Sequence, residues 1–179
     1  MKKKLEKACS KGDLVRLWRE DIEHGSALGY IEGVGDEWFT LCFVGPDINF
    51  DGFSCMRSVD VTEFDASHDH TDFVERALEI RGSARPVSPK IDLTSIRTIL
   101  ESAGQQFTLV TLHREEVDPE TCWIGSVLSV DDEVVRLRAI SPDAKWLDEP
   151  EVHELAEITR VDVGARYEEA LELVSRESS

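Results

Sequence analysis

Gly29-Tyr30-Ile31-Glu32-Gly33-Val34-Gly35-Asp36-Glu37 aligns without a gap on Gly125-Ser126-Val127-Leu128-Ser129-Val130-Asp131-Asp132-Glu133. Working outward, Leu17-Trp18-Arg19-Glu20 matches Leu112-His113-Arg114-Glu115, and Pro46-Asp47 matches Pro142-Asp143. Phe50-Asp51 then matches Leu147-Asp148, Val61-Thr62-Glu63-Phe64-Asp65 matches Ile158-Thr159-Arg160-Val161-Asp162, and Glu75-Arg76-Ala77-Leu78-Glu79 matches Glu168-Glu169-Ala170-Leu171-Glu172. Identities are few, but their shared order at nearly constant spacing reads as a tandem duplication, the signature to seek before assigning elements.

Both copies predict the same elements. Val135, Leu137 and Ala139 alternate with Arg136 and Arg138, the period of a strand with one wet face, and Phe39, Leu41 and Phe43 hold the same places in the first copy. Strands are also expected over 27–31 and 122–128, each joined to the next by a turn at Val34-Gly35-Asp36-Glu37 or Val130-Asp131-Asp132-Glu133. An opening strand falls at 14–20 and 107–114, and a closing strand system at 55–64 and 152–161. Helices bracket the strands: Lys2 to Ser10, a segment begun by Thr71-Asp72, Asp92 to Leu100 with apolar residues at 93, 96, 99 and 100, and Ala165 to Val174. The Gly, Ser and Pro residues of 82–90 mark a linker, dividing the chain into units at 1–81 and 91–179.

The formal net charge is −17, from 20 Lys and Arg against 37 Asp and Glu. Up to Pro86 there are 11 basic and 17 acidic residues, and after it 9 and 20, so no acidic tail accounts for the imbalance. Such a surface repels a phosphate backbone and disfavours nucleic acid as a partner. Neither a signal peptide nor a membrane-length apolar run is present, and Cys9, Cys42, Cys55 and Cys122 form no CxxC pair. A cytoplasmic protein with reduced thiols, bound to no membrane, is the expectation.

A helix followed by five short bent strands, with a strand glycine and a turn aspartate at Gly29…Asp36 and Gly125…Asp132, resembles the Sm-like fold, a small SH3-like β-barrel. In that family the glycine lets the strand curve sharply. The resemblance implies a mainly β chain with accessory helices, built as a tandem duplication of a five-stranded Sm-like barrel. RNA-binding members carry an asparagine shortly after the turn aspartate and an Arg-Gly pair near the fourth strand. Asp36-Glu37-Trp38-Phe39-Thr40 and Asp132-Glu133-Val134-Val135-Arg136 have no such asparagine, and Thr62-Glu63-Phe64-Asp65 and Thr159-Arg160-Val161-Asp162 have no Arg-Gly. The resemblance therefore carries the fold and not the RNA site. Phe50-Asp51-Gly52-Phe53 ahead of Val61-Thr62 is also similar to uncharacterised bacterial small-barrel proteins, which bring no activity with them.

Histidines two apart among carboxylates, in Asp65-Ala66-Ser67-His68-Asp69-His70-Thr71-Asp72, offer imidazole and oxygen ligands to a metal. The plainer reading is a polar loop whose acids cap the next helix, and the second copy has no histidines there. Cys42, Cys55 and Cys122 sit in strand patterns where cysteine acts as a small hydrophobe, and neither His113 nor His153 is tied to one of them by sequence. Trp18, Trp38, Trp123 and Trp146 suit either core packing or a partner surface. No phosphate-binding, zinc-protease or nucleophile-elbow motif occurs. No catalytic, cofactor-binding or metal residue is assigned and no cofactor is expected. The sequence reads as a non-enzymatic interaction or scaffolding module that engages a protein partner or a second copy of itself. The alternatives are an RNA-binding Sm-like protein, an acidic inhibitor or immunity-type protein, and a metal-dependent enzyme using His68 and His70.

Overall fold

Each of the two stretches quoted first forms the leading arm of a hairpin. β2 (Ser26–Val34) returns into β3 (Trp38–Val44), and β7 (Cys122–Val130) into β8 (Val134–Ala139). The computed structural model describes residues 1–66 and 69–177. In the first half α1 (Lys2–Lys11) precedes β1 (Leu14–Trp18), the first hairpin, β4 (Phe50–Arg57), a 3₁₀ turn, β5 (Glu63–Asp65) and α2 (Thr71–Ile80). In the second, α3 (Ile96–Gln106) precedes β6 (Val110–His113), the second hairpin, β9 (Glu151–Glu154), a 3₁₀ turn, β10 (Arg160–Val163) and α4 (Arg166–Glu177). The chain is mainly β with accessory helices, as its sequence predicts.

The halves agree in backbone detail. The β2·β3 register slips between Ile31 and Gly33, and the β7·β8 register between Val127 and Ser129, its counterparts in the alignment. Ile48 and Ala144 hold corresponding places in the next loop, and both have positive φ, 55° and 56°, a conformation that a β-branched residue rarely adopts. The Ile48 N–H donates to Gly45 O and that of Ala144 to Ser141 O, both at 2.9 Å. The strand glycines serve close approach. A Cβ on Gly29 would lie 2.2 Å from Cys42 O, and one on Gly125 2.5 Å from Arg138 O.

The expectation of two closed Sm-like barrels is overturned. All ten strands form one open antiparallel sheet in the order β5-β1-β2-β3-β4-β10-β6-β7-β8-β9. A barrel closed within each half would need β4 to meet β5 and β9 to meet β10. Instead β4 pairs with β10 of the other half, Met56 opposite Arg160 and Phe53 opposite Val163, while β5 and β9 remain the two edges. The physical reason lies in the side chains. Phe53, Ser54, Cys55 and Met56 are neutral and buried, and against β10 they continue the sheet without stranding a charge.

The joint also merges the cores. Cys55 faces Val161, so the layer in which Ile99, Leu100 and Ala103 of α3 cover Val110, Leu112 and Val135 runs on to Phe53, Cys42 and Tyr30 beneath Val74 and Leu78 of α2. A separate cluster packs Leu5 and Ala8 of α1 on Val15, Leu17, Phe39 and Leu41. Helix α3 starts later than its apolar spacing suggests because the Ser95 hydroxyl accepts from Thr98 N–H in a capping box, while Asp92 closes a turn on Thr94. Strand β4 begins at Phe50, ahead of the expected 55, because Phe50 already pairs with Val44. No helix among the described residues is long and apolar enough to cross a membrane.

Candidate functional site

The joint between β4 and β10 pairs a strand of one half with a strand of the other, and β5 and β9 are the two ends of the sheet. Under the joint, Arg19 is fully buried at the end of β1 and donates to both oxygens of Glu115, Nη2 to Oε1 at 2.6 Å and Nη1 to Oε2 at 3.0 Å. The Thr159 hydroxyl donates to Glu115 Oε2 at 2.7 Å. Burial alone would raise the Glu115 carboxyl, but Arg19 and Thr159 outweigh it and hold the group below its ordinary value. Arg57 forks onto Asp60 and reaches Glu116 of the other half at 2.6 Å, and Arg166 of α4 pairs with Asp47 at 2.9 Å. Two-oxygen contacts of this kind are the guanidinium's particular strength.

Beside them, Asp162 receives Arg160 Nε at 2.7 Å and lies 3.0 Å from His113 Nε2. Burial opposes its ionisation, yet Arg160 and His113 keep it far below the usual carboxylate range. His113 and Arg160, with Glu23, His24, Glu115 and Glu120, line a cavity of about 560 Å³. Cys122 stands opposite His113 in the β6·β7 register, but burial and the charges of Asp162 and Glu168 push its thiol up, the wrong direction for a nucleophile. Burial lifts the Cys42 and Cys55 thiols to about 12.

The edges differ from the joint in charge. Strand β9 carries Glu151, Val152 and Glu154 with exposed Asp148 and Glu149 just before it, and Leu155 N–H donates to the carbonyl of exposed Glu133. The place that Arg57 takes on β4 belongs to Glu154 on β9. Strand β5 carries Glu63 and Asp65, with Lys4, Lys7 and Lys11 of α1 close by. Had β9 of a second copy met β5 in the register of the joint, Glu151 would face Asp65, a destabilising pair of like charges. His153, also on β9, is buried beside Trp123 at 5.2 Å, and neither ring nitrogen has a hydrogen-bond partner. Burial and then Arg114 lower its pKa, against the weaker pull of Glu151 and Glu157.

His70 and Asp69 are exposed, His70 occupies the N-cap of α2 without a side-chain cap bond, and His68 lies outside the described residues. No group of three or more metal-ligating side chains stands together among the described residues. Trp38 is buried and Trp18, Trp123 and Trp146 are half-buried, the last two beneath the guanidinium groups of Arg114 and Arg138. Sequence reasoning missed Arg19 and Glu115 as partners. Their alignment as Arg19-Glu20 and Arg114-Glu115 was the available signal, but it pairs Arg19 with Arg114, and the contact runs diagonally between copies. No protein-family model, curated protein or solved structure matches the chain, so no comparison supports the Sm-like resemblance.

Proposed function

We propose that this chain is a non-enzymatic protein-interaction module whose two halves arose as copies of one unit and whose outer sheet edges take up a strand from a partner. The observation that carries the reading is the contrast between strands used inside the molecule and strands left at its rim. An edge offers a row of backbone donors and acceptors to any extended segment, and strand addition is a common mode of peptide recognition. The neutral Phe53–Met56 stretch of β4 is covered by β10, whereas β9 is largely exposed and acidic. Acids on an edge guard it against a second acidic copy and favour a partner strand rich in Lys or Arg. The same charge makes a phosphate backbone a poor partner.

The test uses a peptide of alternating lysine and valine as probe, with light scattering on the protein alone. Saturable binding that weakens with salt and is lost when Glu151→Lys and Glu154→Lys are combined supports the reading. A strict monomer that binds no such peptide, or binds it equally after the double charge reversal, overturns it.

A further inference from the structure

Arg16 is an oddity in so acidic a chain. It sits half-buried on β1, its Nε is fully buried without a hydrogen-bond partner, and it forms no ion pair among the described residues. The side chain lines a cavity of about 480 Å³ between the sheet and the first turn of α2, whose walls include Leu28, Phe43, Ile48, Phe73 and Val74, with His70 at the same helix end. A buried donor on a charged group with nothing to bind is costly and calls for an acceptor. The volume falls in the range of small-molecule sites, which are mostly apolar with a few fixed polar groups.

The other half serves as an internal control. In strand register Thr111 is the counterpart of Arg16, since Val15 pairs with Gly29 as Val110 pairs with Gly125. There the polar side chain is answered from within: the Thr111 hydroxyl bonds to Glu168 of α4. Ile140, Ala144 and Leu171, counterparts of Val44, Ile48 and Leu78, form a separate buried cluster with Leu109, against which Ile124, the strand partner of Thr111, packs. In the first half the aligned glutamate, Glu75, accepts instead from the Tyr30 hydroxyl at 3.4 Å, and no ion pair joins α2 to Arg16 among the described residues. The backbone is common to both halves, so the open cavity and its unanswered guanidinium belong to the residues chosen here.

We propose that this cavity binds a small amphipathic carboxylate, its two oxygens on the guanidinium edge of Arg16 and its acyl chain along Leu28, Phe43, Ile48 and Phe73. The guanidinium fork matches a planar carboxylate. Asp65, opposite Arg16 across β1·β5, and the net charge of −17 favour a single negative charge over a dianion. The apolar walls require a hydrocarbon tail.

Calorimetry and two-dimensional NMR with sodium octanoate, 1-octanol and inorganic phosphate test this on the full chain. Expected are one saturable octanoate site with shifts at Leu28, Phe43 and Val74, binding of octanol weaker by about tenfold or more, and none of phosphate. Arg16→Gln should weaken octanoate by about tenfold or more while its urea midpoint holds or rises, because an unpartnered charge has been removed. Leu28→Trp, which fills the cavity and keeps Arg16, should abolish binding and covers the case in which Arg16→Gln does not fold. Octanoate that fails to saturate, binds both variants as it binds the parent, or is matched by octanol or phosphate overturns the proposal.

Discussion

Set side by side, the two halves share a backbone and differ in what they do with it. Strand order, register slip and positive-φ loop residue coincide, yet the face under the second helix of each half does not. The first half presents Tyr30 and Cys42, both buried, together with Arg16. The second presents Ser126, Arg138 and Thr111 at the matching places. The rims differ as well: Met56 and Arg57 on β4 become His153 and Glu154 on β9. Shared features are those that sterics impose, such as the absent Cβ at Gly29 and Gly125. The differences settle which edge is covered, which stays open, and which cavity is filled.

The joint is where this contrast is easiest to break. Glu115→Ala takes away the bidentate partner of buried Arg19 and leaves it only Glu23, 3.0 Å from its Nε, and breaking a buried pair in this way costs up to about 3–5 kcal/mol. Urea unfolding should show that loss, whereas Glu20→Ala, the exposed counterpart, should change little.

A second test concerns Glu168 and Glu75. Burial lifts the Glu168 carboxyl from 4.5 to about 7. Its raised folded pKa means that its contribution is fully present below about pH 4.5 and disappears as pH rises through about 7, a change of about 3 kcal/mol. Across that window the parent should lose about 3 kcal/mol relative to Glu168→Gln, whose amide still serves both Thr111 and the Ala165 N–H. Glu75→Gln should leave the slope in place.

Gly29→Ala and Gly125→Ala probe what the halves hold in common. Each Cβ would collide with a carbonyl oxygen of the next strand, and overpacking of this kind costs about 1–3 kcal/mol. Comparable losses in the two variants would sharpen the equivalence, and a loss in only one would break it.

The smallest effect is expected from His153→Met, which gives β9 the residue that β4 has at Met56. The folded pKa of His153 is depressed, so the parent loses stability as pH falls below the ordinary histidine value near 6.5. The variant should gain about 1 kcal/mol by removing an unsatisfied buried group, and should lose that acid sensitivity, as read by thermal unfolding at pH 5 and pH 8.

Much of this was legible one residue at a time. The alternation of Val135, Leu137 and Ala139 placed β8, the turns at 35–37 and 131–133 placed both hairpins, and Thr71 marked the start of α2. Ser95 also carried a cap signal, hidden because Leu93 continues the apolar spacing of Ile96 and Ile99. The barrel expectation failed at β4 and β10, strands that lie far apart in sequence and whose residues, read along the chain, reveal nothing of their partners. Arg16 reads as an ordinary wet-face residue of an alternating strand, and only packing shows that nothing answers it.

The sequence by itself determined the repeated order of strands and helices, because alternation, turn chemistry and missing side chains act between near neighbours. Which edges meet, which charges are buried together and where a cavity stays open were decided by the tertiary structure. Those outcomes depend on contacts between distant segments, where burial sets the cost of every unpaired group.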